Sequence, residues 1–268
     1  MKNTLAVLRL FSSWTTGKSI TMMTHAIIFA PIGQASRAEQ IVTRLANAIM
    51  TGLLQAHEQL PNEAELAKML GVSHITVREA LNTLRAKELI YTSRGRHGGS
   101  FVCANLENRP HNYHPLRQLS SDYLLDLGEM HCAVLTHSAR LATKRMSESE
   151  QLTFFALIDA FQQADSAESR AQADMRCLLF LSASSQSARL ANSELLLQSE
   201  WAPFVALLYG DDALHRQCVQ RYQELMEALS QHRSEAATQA VSDLIMFIAE
   251  QLLDCKRNLN IPTSGRLS

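Results

Sequence analysis

Aromatic residues make up only 6% of this 268-residue chain, and it has just ten glycines and six prolines. That scarcity points to a helix-rich chain. Cysteine is sparse as well: Cys103, Cys132, Cys177, Cys218 and Cys255 are scattered with no CxxC pair. A disulfide framework or a zinc ribbon needs paired spacing, so these five read as reduced cytosolic thiols, mostly buried as small hydrophobes. No apolar run is long enough to cross a membrane. LAVLRLF near the start is short and broken by Arg9, which makes it a poor secretion signal and no span. GxSxG, HExxH and a phosphate-binding glycine loop are all missing. No convergent acid–base or nucleophile set replaces them, so an enzyme is not expected.

What is present suits two domains of ordinary size, with a hydrophobic fraction of 46% to fill their cores. Net charge is −1 but unevenly spread. Residues 37–109 carry nine Lys/Arg against seven Asp/Glu, and residues 115–268 carry thirteen against nineteen. A DNA-reading front half and a back half that avoids DNA would divide charge this way.

The stretch from Leu60 to Cys103 organises the chain. Asn62 caps a short helix with Glu65 in the capping-box spacing, and Leu66, Ala67 and Leu70 give it an apolar face. Gly71 suits the left-handed residue that ends a helix. Ser73 then caps a longer helix over 74–89, giving the sequence form of a helix-turn-helix. In that second helix Val77, Ala80, Leu81 and Leu84 face the core, with His74, Ile75, Arg78, Asn82 and Arg85 on the other side. A helix lying in a DNA major groove needs this division. Ile90 to Thr92 and Ser100 to Val102 read as strands around a glycine-rich tip. Arg94 and Arg96 there make a wing able to reach phosphates or an adjacent minor groove.

PNEAELAKMLGVSHITVREALNTLRAKELI followed by GRHGGSFV resembles the winged helix of the GntR family of bacterial transcription regulators, over about forty residues. The resemblance places DNA contacts at Ser73, His74, Thr76, Arg78, Arg94 and Gly95. The hydroxyls of Ser73 and Thr76 and the helix N-terminus suit phosphate oxygens, and Arg78 suits a guanine edge or a phosphate clamp. His74 and Ala64 stand where relatives usually have Arg, so two cationic contacts are missing.

Around this core, residues 1–35 read as a disordered or mis-assigned extension, with Met22 and Met23 as alternative starts to Met1. Residues 36–103 form the winged helix. It opens with a helix from Ser36 to Leu54, capped by Ser36 and Glu39, whose stripe is Ala38, Ile41, Val42, Leu45 and Ile49. Residues 104–120 read as a linker, where His111 and His114 are incidental rather than metal ligands. Residues 121–258 show helical period throughout, predicting six helices at 121–146, 149–164, 167–185, 189–209, 213–230 and 234–258, an all-helical antiparallel bundle. Residues 259–268 are a tail. The fold class is mostly α, a winged helix-turn-helix with a small hairpin followed by that bundle.

The bundle is similar to the helical effector domain of FadR-type GntR regulators, called FCD, in helix count, in LATKRM closing the first helix and in Asp174 on the third. The resemblance implies a domain that binds a small acid or its derivative. In many members it also holds a metal through an Asp, a His four residues later, and one His from each of the last two helices. Here Asp174 fits, but Leu178, Tyr222 and Leu244 stand at the three histidine positions. No metal or other cofactor is therefore expected. His131, Asp174, Tyr222 and Arg221 are the candidate effector residues. Two readings stay open: a remodelled polar cavity lined by them, or an interior simply filled by Leu178 and Leu244.

The function implied is a cytoplasmic transcription regulator, a repressor by the commoner habit of the family. It would bind an inverted-repeat operator in double-stranded DNA as a homodimer, under control of a small carboxylate or acyl effector, with no membrane role. The alternatives are a helical ligand-binding protein that uses its winged helix only for protein contacts, and a regulator that has lost effector control.

Overall fold

The computed structural model describes residues 37–50, 53–95, 98–104 and 114–259. Ser36, Arg96, His111 and both alternative start methionines lie outside them. Among the described residues there are nine α-helices and one two-stranded sheet, falling into two compact units.

The first unit begins with α1 (Arg37–Met50), which buries Ile41, Leu45 and Ile49 and packs on the third helix. It is shorter than the sequence period suggests. Leu53 and Leu54 are buried but lie in a bend, and the Leu54 N–H donates to the Ala48 carbonyl at 3.0 Å. A six-residue step is not an α-helical bond, so apolar period runs past the helix that made it. In α2 (Glu63–Leu70) the Asn62 side chain accepts from Glu65 N at 2.9 Å, and Glu65 accepts from Asn62 N at 3.2 Å. Gly71 closes the helix at φ 65°. The following helix, α3 (His74–Ala86), buries Val77, Ala80, Leu81 and Leu84.

Helix α3 ends at Ala86, three residues before the expected Leu89. Glu88 takes a left-handed φ of 55°, its N–H bonds to the Arg85 carbonyl, and the Leu89 N–H bonds to the Leu84 carbonyl at 3.0 Å. These are the two bonds of a Schellman ending, with Leu89 turned inward and buried. The sheet pairs β1 (Ile90–Ser93) with β2 (Gly99–Val102) antiparallel, Tyr91 opposite Phe101 with the two rings stacked. The segment before α2 joins it on the other edge. His57 N and Leu60 N donate to the Val102 and Ser100 carbonyls, and Val102 N donates to the Glu58 carbonyl. A sequence reading that begins the motif at Leu60 misses this third edge, because QAHEQ has neither alternation nor β-branched residues to mark it.

The second unit contains α4 (Ser121–Arg145), α5 (Glu148–Gln163), α6 (Ala167–Ser184), α7 (Ala188–Leu208), α8 (Asp212–Ser230) and α9 (Ser234–Leu259). Each bound lies within one residue of its sequence expectation, because polar caps mark the starts: Ser120, Ser147 with Glu150, Ser166, Ser187 and Asp211 all accept from first-turn N–H groups. Helix α9 packs along α4 and α8, and α6 lies against α4 and α5. The expected linker is in part folded. Pro115–Gln118 is a 3₁₀ turn with Leu116 fully buried, its carbonyl accepting from the buried Lys256 Nζ at 3.1 Å. Arg117 also donates to the Leu259 carbonyl. Little local period exists in PLRQ; His114 caps the turn, its Nδ1 accepting from Leu116 N at 3.3 Å, and the contact to α9 holds it in place.

Candidate nucleic-acid interface and buried cluster

The exposed end of α3 is built by its cap. Ser73 is extended (φ −73°, ψ 154°), and its side chain accepts from Thr76 N at 3.2 Å. Its hydroxyl also lies 2.8 Å from the Thr76 hydroxyl. Ser73, His74 and Ile75 are exposed, and Thr76 is half-buried. One turn on, Arg78 is exposed but not loose: Nε and Nη2 donate to Glu63 Oε2 at 3.1 and 2.9 Å. Glu63, the first residue of α2, thus holds the guanidinium expected to read a guanine or a phosphate. Sequence reasoning missed Glu63, because only the packing of α2 against α3 brings it to Arg78. Arg85 donates to Thr92 Oγ1 at 2.8 Å and to Asn82, tying α3 to β1.

At the wing, Arg94 is exposed directly after β1, and Gly95 sits at φ 121°. That angle is one L side chains rarely adopt. Gly98 is also obligatory, since a Cβ there would meet the Ser93 carbonyl oxygen at 2.6 Å. The structure therefore brings Ser73, His74, Thr76 and Arg78 together on one helix end, and sets Arg94 and Gly95 at the tip of the hairpin.

In the helical unit, Asp174 is buried at 2% exposure. Its Oδ1 accepts from the Tyr222 hydroxyl at 2.5 Å. Phe161 packs edge-on to Tyr222, Tyr209 and His215, and His215 Nε2 lies 2.8 Å from the Phe161 carbonyl. This aromatic knot fixes the Tyr222 ring. The Tyr209 hydroxyl approaches the same carboxyl without hydrogen-bond geometry, yet close enough to favour its charged form. Burial pushes the Asp174 carboxyl up to about 6, against the opposing pull of the Tyr222 and Tyr209 hydroxyls and of His131, with Glu194 adding to the rise. The same burial, with Asp174 beside it, pushes the Cys218 thiol up to about 12.

His131 lies near this carboxyl but pairs elsewhere: its Nε2 is 2.8 Å from Glu194 Oε1, both side chains fully buried. Glu194 is a second interior carboxyl that the sequence did not single out. Arg221 does not join the group. It stacks over Phe247 at 4.0 Å and lines an outer groove of α8 and α9 with Gln217, Asp243 and Glu250. Arg221 and Tyr222 are neighbours in sequence, and successive helical residues point about 100° apart.

The metal implied by the resemblance does not fit these residues. Leu178 and Leu244 are fully buried hydrocarbon, and Tyr222 offers the carboxyl a proton rather than a lone pair to a cation. No group of three His, Cys, Asp or Glu able to hold an ion occurs among the described residues.

The first unit is thus a winged helix-turn-helix of the kind that binds DNA, joined to a six-helix domain. Residues 37–102 match the model of the bacterial regulatory proteins of the gntR family, and residues 126–246 match that of the FCD domain. A putative HTH-type transcriptional regulator, RmpR of Mycobacterium gastri, is 35% identical over 243 residues, covering 85% of each chain. The putative L-lactate dehydrogenase operon regulatory protein of Escherichia coli is 25% identical over 224 residues, 79% of this chain and 84% of that one. The solved structure of E. coli McbR/YncC shares the fold, with a TM-score of 0.51 over 83% of this chain and 99% of that one, at 18% identity. The chain belongs to the GntR family: it is a DNA-binding transcription regulator with an FCD effector domain, not an enzyme. No described helix is long and apolar enough to cross a membrane.

Proposed function

We propose that the chain acts in the cytoplasm as a homodimeric repressor on an inverted-repeat operator, residues 36–103 reading the DNA and 121–258 holding the effector and dimer functions. The exposed ridge from Ser73 to Arg78, with Arg78 aimed by Glu63, is the observation that carries the DNA reading. One such helix spans only a few base pairs, so a two-fold pair is needed for a unique site. Ser73 and Thr76, with the α3 N-terminus, position on phosphates, Arg78 reads or clamps, and Arg94 with Gly95 follows the backbone from the wing. His74 in place of a cation lowers the electrostatic share of binding.

DNA flanking the chain's own gene, titrated by gel shift at two salt concentrations and footprinted, tests this. The expected result is a protected two-fold symmetric site, with Arg78→Ala weakening it by about 1–3 kcal/mol. Binding that is unselective and lost in moderate salt would instead favour a winged helix kept for protein contacts.

For the helical domain, His131, Asp174 and Tyr222 mark the effector region, which we assign to a small carboxylate or acyl compound. A second reading has its own support: the Asp174 carboxyl is already occupied by Tyr222, and Leu178 and Leu244 are fully buried. In that reading effector control has been lost. Thermal-shift screening with sugar acids, small dicarboxylates and acyl-CoAs separates the two, since a ligand at 100 times its Kd stabilises by about 2.7 kcal/mol.

A further inference from the structure

Ile75 is the most exposed large apolar side chain among the described residues, at 77%. It is the second residue of α3, lying roughly 170° around the helix from the stripe of Val77, Ala80, Leu81 and Leu84. Nothing local accounts for it there. A β-branched residue is a middling helix former, and with no polar atom it gains nothing from water.

Several polar groups around it are already engaged: the Ser73 and Thr76 hydroxyls lie 2.8 Å from each other, and the Arg78 guanidinium is held by Glu63. His74 is exposed beside it. The tip of the ridge thus presents one imidazole and one hydrocarbon side chain to a base edge. The apolar feature on a major-groove edge is the C5 methyl of thymine, which an aliphatic side chain can cover and a hydrogen-bonding one cannot exploit.

We infer that Ile75 is a specificity-determining residue that reads a thymine in each half-site through its C5 methyl. This rests on the DNA reading above and adds a base identity to it. The contact carries no charge, so it contributes discrimination without steepening the salt dependence.

The test uses the full chain and a library of duplexes with a randomised centre. After selection of the bound sequences, each thymine of the enriched site is replaced in turn by deoxyuridine, which removes only the methyl. The expected result is one symmetry-related thymine pair at which each replacement weakens the wild type about fourfold, the value of one buried methyl group. At that position Ile75→Ala shows less than a twofold change, and Ile75→Val retains most of the sensitivity. Since the side chain is solvent-facing, both variants should melt with the wild type, and circular dichroism confirms this. Enriched sites at which wild type and Ile75→Ala give the same deoxyuridine profile overturn the inference alone. A library that yields no enriched sequence overturns the DNA reading and the inference together.

Discussion

Replacing Asp174 by Asn gives a direct measure of how the helical unit tolerates a carboxyl in its interior. In the folded chain that carboxyl is raised from 3.8 to about 6, chiefly by burial. A folded-state value above the unfolded one means that folding holds the proton more tightly. The stability this contributes is complete below the unfolded value and is lost as pH rises through about 6. A shift of roughly two units corresponds to about 3 kcal/mol in full, and about half of it falls between pH 5 and 8. An amide never ionises, so the variant lacks this loss while its oxygen still accepts from Tyr222. Urea unfolding followed by circular dichroism, run on both proteins across that range, should show the variant gaining on the wild type by about 1.5 kcal/mol from pH 5 to 8. The absolute offset depends on how the amide N–H groups are satisfied, and the slope does not. Parallel stability curves, or a variant that loses ground to the wild type toward alkaline pH, would refute the assignment of a raised carboxyl.

Tyr222→Phe keeps the ring in its aromatic setting but removes the donor to Asp174. It should cost about 1.5–3 kcal/mol at pH 8, where the bond is charge-assisted, and less at pH 5; urea midpoints at the two pH values check this. Glu88→Gly relieves a left-handed residue at the end of α3 and should stabilise the winged helix by about 1 kcal/mol, read as a higher melting temperature. Glu63→Gln loosens the exposed pair that aims Arg78, so the ratio of operator to random-duplex affinity should fall about two- to fivefold while thermal stability hardly moves; competition binding with the two DNAs measures it.

How much of this could be read beforehand depends on where the information sits. Helix starts are local chemistry: a Ser, Asn or Asp oxygen meeting an N–H two or three residues later. That is why the bounds of α4 to α9 fall within one residue of expectation. Helix ends are less local. The ends of α1 and α3 depend on Leu54 and Leu89 turning inward to bury themselves, and an apolar residue that continues the helical period cannot announce that it has left the helix. The strand-like pairing of 57–60 depends on β2, far away in sequence, and the 3₁₀ turn at Pro115–Gln118, though capped locally by His114, is held in place by Lys256 and Leu259. The exposed face of α3 was legible residue by residue. What holds Arg78 was not, because the partner lies fifteen residues away on another helix.

The interior of the helical unit carries the same lesson further. From the sequence, Leu178, Tyr222 and Leu244 stand where the resemblance implies histidines, and Tyr222 reads beside Asp174 as a candidate effector residue, with nothing to say that the two pair. A carboxylate isolated in hydrocarbon is too costly to keep, so a buried acid needs a hydrogen bond, a proton or a charged partner. In the structure the Tyr222 hydroxyl donates to the acid, and burial lifts its pKa to about 6, so the proton joins the hydrogen bond only below that pH. Tyr222 is thus the donor that meets the buried acid directly rather than a neutral filler, with Tyr209 and His131 adding to its effect. With neither partner left to pair, Tyr222→Phe combined with Asp174→Asn should cost less than the tyrosine change alone at pH 8, where the charge matters most.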